Sequence, residues 1–148
     1  MNVKIELMNK DHADAVTEIS NLSFSDPWKK DSYIKEVQNP VALYLVALSD
    51  NEVVGFIGTW NVLDESHITN VAVHPDFRKL KIGSMLLDSL IKICEEKHKT
   101  VSFDLEVRRS NIPAQKLYSK FNFKETGIRK GYYADNKEDA ILMCRFSV

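Results

Sequence analysis

Two side chains, Glu106 and Tyr118, are of types that can move protons in a reaction. Glu106 stands near the end of the alternating segment 101–107, a pattern typical of a half-buried strand. Tyr118 falls in the helical pattern of residues 111–120, which follows directly along the chain. A carboxylate and a phenol brought together in this way can act as general base and general acid. A strand-end glutamate is more commonly a salt-bridge partner and a helical tyrosine a core residue, so the pair alone leaves the chemistry open.

A second group of residues is suited to binding an anion. Residues 78–84 form a basic loop that contains Arg78, Lys79, Lys81 and Gly83 and leads directly into a helical pattern. The first N–H groups of a helix lack partners within the helix, and the helix dipole favours negative charge there. The loop matches neither the P-loop pattern GxxxxGK(S/T) nor the dinucleotide pattern GxGxxG. A solvated basic turn is the alternative interpretation.

The composition is that of one globular domain with almost no net charge. The chain has 148 residues, 44% of them hydrophobic, and its 20 Lys and Arg oppose 21 Asp and Glu. This length predicts a single domain that spans residues 1–148. The charge balance excludes a globally basic nucleic-acid coat or a polybasic membrane binder, so we expect no direct nucleic-acid partner and no membrane partner.

The cysteines and the apolar runs predict a reducing, cytoplasmic setting. Cys94 and Cys144 lie in apolar surroundings without paired or metal-like spacing, which predicts reduced core thiols. The N-terminus lacks the apolar core of a signal peptide, and the run at 41–48 is far shorter than the roughly 18 residues of a membrane span. We expect structural roles for His67 and His74, no metal site, and a monomer or weak dimer.

Hydrophobic periodicity predicts the elements that position these residues. Asp26 and Pro27 are predicted as the N-cap and first residue of a second helix that runs to about Gln38. Other helices are predicted after Asn9, from Ile82 to Cys94 and at 111–120. The element order β-α-α-β-β-β-α-β-α-β-β predicts an α+β fold, a three-layer sandwich of the α/β type with a mixed sheet. The predicted strands are 2–7, 41–48, 52–60, 65–73, 101–107, 121–126 and 139–146.

Several motifs together resemble the GCN5-related N-acetyltransferase family. They are the strand and basic loop at 71–83, Asn111 and Tyr118 in the following helix, and Phe-Asn-Phe at 121–123. Within that family the chain is similar to the bacterial ribosomal-protein-alanine N-acetyltransferases. The segments that carry this narrower similarity are Asp-Pro-Trp at 26–28, Leu-Glu-Val-Arg-Arg-Ser-Asn at 105–111, Arg-Lys-Gly-Tyr-Tyr at 129–133 and Glu-Asp-Ala-Ile at 138–141. The resemblance covers nearly the whole chain in the expected order.

The resemblance implies an acetyltransferase with a splayed mixed sheet and helices on both faces. Acetyl-CoA is implied as cosubstrate, in the gap between the strands that end at Val73 and near Val107. Glu106 is implied as general base and Tyr118 as general acid, for direct acetyl transfer in a ternary complex to a protein N-terminus, above all the alanine of a ribosomal protein. The implied cofactor-binding residues are Val71, Ala72, Val73, Arg78, Lys79, Leu80, Lys81, Ile82, Gly83, Ser84 and Asn111. The implied substrate-binding residues are Phe24, Trp28, Tyr132 and Tyr133.

One position of the basic loop departs from the family pattern. The family loop reads Arg/Gln-x-x-Gly-x-Gly/Ala, and Lys81 occupies its first glycine position. A side chain there costs little at an ordinary φ and more at a positive φ, and it either contacts a phosphate or crowds the cofactor.

Two alternative functions stay open: acetylation of lysine side chains or small amines is one, and a catalytically silent acyl-CoA-binding module is the other. The sequence leaves the physiological target and the breadth of N-terminal preference open.

Overall fold

The computed structural model describes residues 2–147 as one mixed seven-stranded sheet with four α-helices. The strands are β1 (Val3–Leu7), β2 (Ala42–Ser49), β3 (Glu52–Val62), β4 (Glu65–Val73), β5 (Ser102–Arg108), β6 (Lys124–Arg129) and β7 (Ala140–Phe146). The helices are α1 (Ala13–Ser23), α2 (Lys30–Gln38), α3 (Ile82–Lys97) and α4 (Ile112–Lys120). The strand order across the sheet is β1-β2-β3-β4-β5-β7-β6. The predicted order of strands and helices along the chain is confirmed.

In the hairpin of β2 and β3, successive side chains point alternately into two hydrophobic cores, one on each face of the sheet. Its turn residues, Asp50 and Asn51, have φ values of 50° and 68°, the left-handed conformation that a two-residue hairpin turn requires. Along β2, Leu45 and Ala47 belong to the core that contains the side chains of α3. Val46 points to the opposite face and belongs to the core that contains α1 and α2.

Helices therefore cover both faces of the sheet, as expected. On one face, Ile82, Leu86 and Leu90 form the fully buried stripe of the amphipathic helix α3. On the other face, Ile19 of α1 and Tyr33 of α2 are fully buried against β2 and β3. Within residues 2–147, no helix combines the length and the apolar character that a membrane crossing needs.

Strands β4 and β5 separate after a short parallel contact. They pair only over Glu65–His67 and Ser102–Asp104. Beyond that point β4 stays with β3, and β5 stays with β7. A register shift between β3 and β4 leaves Thr69 without a strand partner just beyond the last parallel pair, and such bulges commonly lie beside active sites. The splayed sheet is confirmed, and the edge of β4 that faces β5 is unpaired past residue 67.

Helix α2 begins later than the sequence predicts. Asp26 and Pro27 are not its first residues, because Lys29 is the N-cap and makes no side-chain capping bond. The ring of Trp28 packs on that of Tyr33, with centroids 5.6 Å apart. Trp28 also stacks on Trp60 of β3, with ring centroids 6.4 Å apart, and this tertiary contact holds it in a loop. The predicted helix start is therefore wrong.

Helix α4 ends in a turn, and because of this turn β6 begins later than the sequence predicts. Asn122 has a φ of 68°, and its N–H donates to the carbonyl of Ser119. The N–H of Phe123 donates to the carbonyl of Tyr118. These two bonds form a Schellman motif, which ends a helix at a left-handed residue. Strand β6 therefore begins at Lys124 rather than at the predicted residue 121.

Candidate active site

A cleft of about 810 Å³ opens where β4 and β5 separate. Its walls come from the diverging strands, the α1–α2 loop, the start of α4 and the β6–β7 loop. Glu106 and Tyr118 both line it, so the fold brings the two candidate proton-transfer residues into one site. The other sequence-predicted residues that line the cleft are Phe24, Trp28, Val71, Asn111, Tyr132 and Tyr133.

Glu106 reaches the cleft because β5 alternates between the core and the cleft. Leu105 and Val107 are buried in the core beneath α3. Asp104, Glu106 and Arg108 lie on the opposite face of the strand and are partly exposed. The side chain of Glu106 keeps 21% of its surface exposed. A carboxylate held in this way is accessible from the cleft and can accept a proton there.

His67 connects Glu106 to a second carboxylate, Asp104. Its Nδ1 lies 2.5 Å from Oδ1 of Asp104, and its Nε2 lies 3.4 Å from Oε2 of Glu106. The hydrogen bond with Asp104 raises the pKa of His67 against the opposing effect of burial, and the negative charge of Glu106 adds to the increase. The expected structural role of His67 therefore includes direct contact with the candidate base.

Tyr118 is positioned by the turn that ends α4. Its ring lies 5.7 Å from that of Phe123, centroid to centroid, which is the apolar contact that accompanies a Schellman motif. Tyr118 is only 7% exposed. Burial, followed by the charge of Tyr133, raises the pKa of its phenol. The hydroxyl is therefore protonated at neutral pH and has a proton to donate.

Aromatic side chains from two loops and from β3 form another part of the lining. Trp28 in the α1–α2 loop stacks on Trp60 of β3, with ring centroids 6.4 Å apart. Tyr132 and Tyr133 in the β6–β7 loop meet edge to face at 5.1 Å. Tyr133 is partly buried, and burial raises the pKa of its phenol to about 12. Tyr132 is more accessible, with 45% of its surface exposed. Partly exposed aromatic groups offer a ligand apolar area together with hydroxyl or N–H donors.

The basic loop lies outside this lining, on the exposed surface between β4 and α3. Lys79 and Lys81 both have a φ of 65°, so the position that departs from the family glycine is left-handed. Ile82 is fully buried and anchors the first turn of α3. The N–H groups of residues 82–84 belong to that first turn and have no partner within the helix.

Two predicted cofactor residues also make structural bonds. Arg78 donates from Nε to the carbonyl of Val73 at 3.2 Å. Asn111 is the N-cap of α4, and its Oδ1 accepts the N–H of Ala114 at 3.2 Å. Each bond uses only part of the side chain, since a guanidinium has five N–H donors and an amide also has its NH₂ group.

The remaining predicted cofactor residues divide between the core and the surface. Val71 and Val73 pack on the α3 side of the sheet, whereas Ala72 is buried on the α1 side. These three residues therefore present backbone, rather than side chains, to the gap beside β4. Leu80 is 48% exposed and Ser84 is partly buried at the start of α3.

Arg108 and Trp60 line the cleft, and the sequence predicted no role for either of them. The alternation of β5 contained the signal for Arg108, because Arg108 shares the face of Glu106. For Trp60, and for the contact of His67 with Glu106, no local signal existed. Their positions depend on which strands are neighbours, with His67 directly opposite Asp104 in the short parallel pairing.

The sequence profile of the acetyltransferase (GNAT) family matches residues 13–123. The chain therefore belongs to this family of acetyl-CoA-dependent acetyltransferases. It is 45% identical over 137 residues to a Bacillus subtilis protein provisionally named ribosomal protein bS18-alanine N-acetyltransferase, covering 92% of this chain and 90% of the relative. It is 36% identical over 141 residues to the ribosomal protein bS18-alanine N-acetyltransferase of Salmonella typhimurium, covering 94% of each. The crystal structure of the ribosomal-protein-S18-alanine N-acetyltransferase of Escherichia coli aligns with a TM-score of 0.89 at 31% identity, covering 97% of this chain and 92% of that one.

Proposed function

We propose that this protein transfers the acetyl group of acetyl-CoA to the N-terminal α-amine of a protein, and that the acceptor is the N-terminal alanine of a ribosomal protein. One observation carries the proposal: Glu106 lies where β4 and β5 separate, in a cleft that aromatic loops also line. The names of the Bacillus subtilis and Salmonella typhimurium relatives support this choice of acceptor.

The gap beside β4 fits the extended arm of acetyl-CoA. Backbone N–H and C=O groups of β4 face this gap without a strand partner beyond residue 67, so they can bond to amide groups of the arm. At the end of β4, residues 79–84 supply positive charge and the free N–H groups of a helix start, which suit the pyrophosphate. We assign Val71–Val73 to the arm, residues 78–84 to the pyrophosphate, and Asn111 to the region near the reacting end.

Glu106 serves as the general base. An amine attacks in its neutral form, and an α-amine with a pKa of about 7.7–8.0 is roughly one-tenth neutral at pH 7. A lysine side chain, with a pKa of about 10.4, needs about 3.4 kcal/mol more for deprotonation. An ordinary carboxylate therefore suffices for an α-amine, and Glu106 accepts the proton that the nitrogen releases, directly or through one water.

Tyr118 serves as the general acid. Bound acetyl-CoA supplies the thioester carbonyl, at which a C–N bond forms and the C–S bond breaks. Tyr118 donates its phenolic proton to the departing sulfur, whose basicity resembles that of a thiol with a pKa of about 8.5. Direct transfer needs no covalent enzyme intermediate, so the free thiols of Cys94 and Cys144 take no part.

A matched set of peptides tests the acceptor. One peptide begins with alanine and contains an internal lysine, a second is identical except that its α-amine is blocked, and a third begins with another residue. Mass spectrometry after incubation with acetyl-CoA locates the acetyl group, and we expect it on the α-amine of the alanine peptide. Equal acetylation of lysine in the blocked peptide would contradict the proposal and favour the lysine or small-amine alternative. Coenzyme binding with no transfer to any amine would favour the silent module, against which the presence of both Glu106 and Tyr118 argues.

A cytoplasmic location and a monomer or weak dimer are part of the same proposal. Cys94 and Cys144 are both free, which fits a reducing compartment.

A further inference from the structure

The guanidinium of Arg108 joins the two loops that face the cleft. Its Nη1 donates to Oδ1 of Asn136 and to Oε1 of Glu138, both at 3.2 Å. Its Nη2 donates to Oγ of Ser25 at 3.1 Å and to Oδ2 of Asp135 at 2.9 Å. Ser25 belongs to the α1–α2 loop and the other three partners to the β6–β7 loop, so one side chain ties both loops to the end of β5.

The same guanidinium fixes the ring of Tyr133. The Cζ atom of Arg108 lies 4.0 Å from the ring centroid, a distance typical of a cation–π contact. The hydroxyl of Ser25 also donates directly to Asp135, which joins the two loops a second time. Tyr133 is thereby held at a set position relative to Glu106, which lies on the same face of β5 as Arg108.

Arg108 also balances the negative charge of this region. Hydrogen bonds from Ser25 and from Arg108 lower the pKa of Asp135. Hydrogen bonds from Ser110 and from Arg108 lower the pKa of Glu138. Both carboxylates are therefore ionised at neutral pH, and without the guanidinium between them they would repel each other.

We propose that Arg108 is a positioning residue for the acceptor peptide. We call the part of the cleft between the α1–α2 loop and the β6–β7 loop the peptide slot. By holding Tyr133 and both loops in place, Arg108 gives this slot its peptide-binding shape before the peptide arrives. The inference rests on the proposed function, because the acceptor is taken to enter this slot. The contacts of the guanidinium are with loop residues and with none of the residues assigned to acetyl-CoA, so its effect is confined to the acceptor. A lysine cannot replace it, because an ammonium lacks the planar fork that reaches four acceptors and stacks on a ring.

The test is a kinetic comparison of the wild type with Arg108→Lys and Arg108→Gln in the full chain. The alanine peptide is varied at saturating acetyl-CoA, and the affinity for acetyl-CoA is measured separately by calorimetry. We expect the peptide KM to rise by about tenfold or more in both variants. We expect kcat to stay within about threefold, and the Kd for acetyl-CoA within about twofold, of the wild type.

Two further variants keep the test specific. Arg109→Gln removes the same charge from the next residue, whose side chain is 61% exposed and pairs with Asp139, and it is expected to keep the wild-type KM. Ser25→Ala removes the bond of the α1–α2 loop to Asp135 and its bond to Arg108, and it leaves β5 unchanged. It should raise the peptide KM by a smaller factor. An unchanged peptide KM in folded Arg108 variants would overturn the proposal. A parallel loss of kcat, acetyl-CoA affinity and thermal stability would also overturn it, since that pattern marks a general structural role.

A measurement without any acceptor separates this inference from the proposed function. Amide hydrogen exchange of Arg108→Gln should be faster than in the wild type at residues 24–28 and 132–138, and unchanged in β2 and β3. Wild-type exchange in both loops would overturn the inference. Failure of the proposed function would show itself differently, as a wild-type protein that acetylates no peptide α-amine.

Discussion

Asp104, Glu106 and Arg108 form a row of charged side chains along one face of β5. His67 contacts the first two of these residues, and the guanidinium of Arg108 binds the two loops of the peptide slot. Because the residues between them are buried in the core, the row has a set order and spacing. One strand face thus provides both the candidate base and the residue that positions its substrate.

Glu106→Gln and Tyr118→Phe remove the two proposed proton-transfer groups with little change in shape. We expect each to lower kcat by about 10²–10⁴-fold, the usual contribution of a general acid or base. We expect the Kd for acetyl-CoA, measured by calorimetry, to stay within about twofold of the wild type, because neither residue is among those assigned to hold the arm or the pyrophosphate of the coenzyme. Glu96→Gln, at an exposed position of α3, is the matched control. Unchanged turnover in either variant would contradict the assigned role of that residue.

The contacts of His67 predict how stability depends on pH. Because the pKa of His67 is raised in the folded protein, folding holds its proton more tightly than the unfolded chain does. The stabilisation that protonated His67 gives the folded protein is therefore complete below the unfolded pKa of about 6.5. It is lost as the pH rises through the raised pKa of His67 in the folded protein. The free energy of unfolding of the wild type, minus that of His67→Gln, should be largest at acid pH and decline towards alkaline pH.

Urea unfolding at a series of pH values measures this difference. Asp104→Asn should remove most of the same pH dependence, because the hydrogen bond with Asp104 is the main cause of the raised pKa. A difference that grows with pH would be incompatible with the contacts seen around His67.

Helices and strands with a clear period are the ones that the sequence predicts well. The alternation in residues 101–107 predicts β5 to within one residue of the bounds that the structure shows, Ser102–Arg108. The start of α2 at Lys30 could not be predicted, because the local cap signal of Asp26 is overridden by packing of Trp28 on Tyr33. Trp28 is also held by its stacking on Trp60 of β3, a contact that depends on the tertiary fold.

Gly58 illustrates how tightly two neighbouring strands pack beside the cleft. It pairs with Tyr44, and an added Cβ would lie 2.2 Å from the tyrosine ring. The hydroxyl of Tyr44 is hydrogen-bonded to Thr69 at the bulge of β4, at 2.8 Å. Gly58→Ala should therefore lower the free energy of unfolding by about 1–3 kcal/mol, as overpacking does.

The matched control is Gly127→Ala, where the nearest atom of Leu142 lies 3.5 Å from the added Cβ. Its effect should stay within about 0.5 kcal/mol. Denaturant unfolding measures both changes, and equal effects of the two substitutions would contradict the packing described for Gly58.

The left-handed loop before α3 gives a prediction of the opposite sign. Lys81→Gly should raise the free energy of unfolding by about 0.5–1 kcal/mol. A residue with a Cβ is strained by about 1–2 kcal/mol in this conformation, and the greater flexibility of glycine in the unfolded chain cancels part of the gain. Lys79→Gly should give a similar gain, since both residues have a φ of 65°. Thermal unfolding checks both, and a loss of stability in either variant would show that the lysine side chain makes a compensating contact.

The cleft is a property of the whole sheet rather than of any one segment. Local patterns predict β4 and β5, but their separation after the pairing of His67 with Asp104 depends on the strand order. The resemblance to the family supplied the expectation of a gap, together with Glu106 and Tyr118, which the fold brings into one cleft. Arg108 is part of a motif that carries the resemblance, but its role could not be predicted. In a sequence, a charged residue that alternates with core residues looks like any solvent-facing position of a strand.

Net charge also has meaning only for the molecule as a whole. With a net charge of −1, the protein has no general attraction for phosphate. Any affinity for the pyrophosphate must come from the local concentration of positive charge and free N–H groups at residues 78–84.

Amide hydrogen exchange with and without saturating acetyl-CoA tests most directly whether the coenzyme binds between β4 and β5. We predict slower exchange at residues 69–73 of β4 and 82–84 of α3 when the coenzyme is bound, with β1 and β2 unchanged. Binding without protection at these amides, or the absence of any binding to the folded protein, would contradict the proposed site and the mechanism built on it.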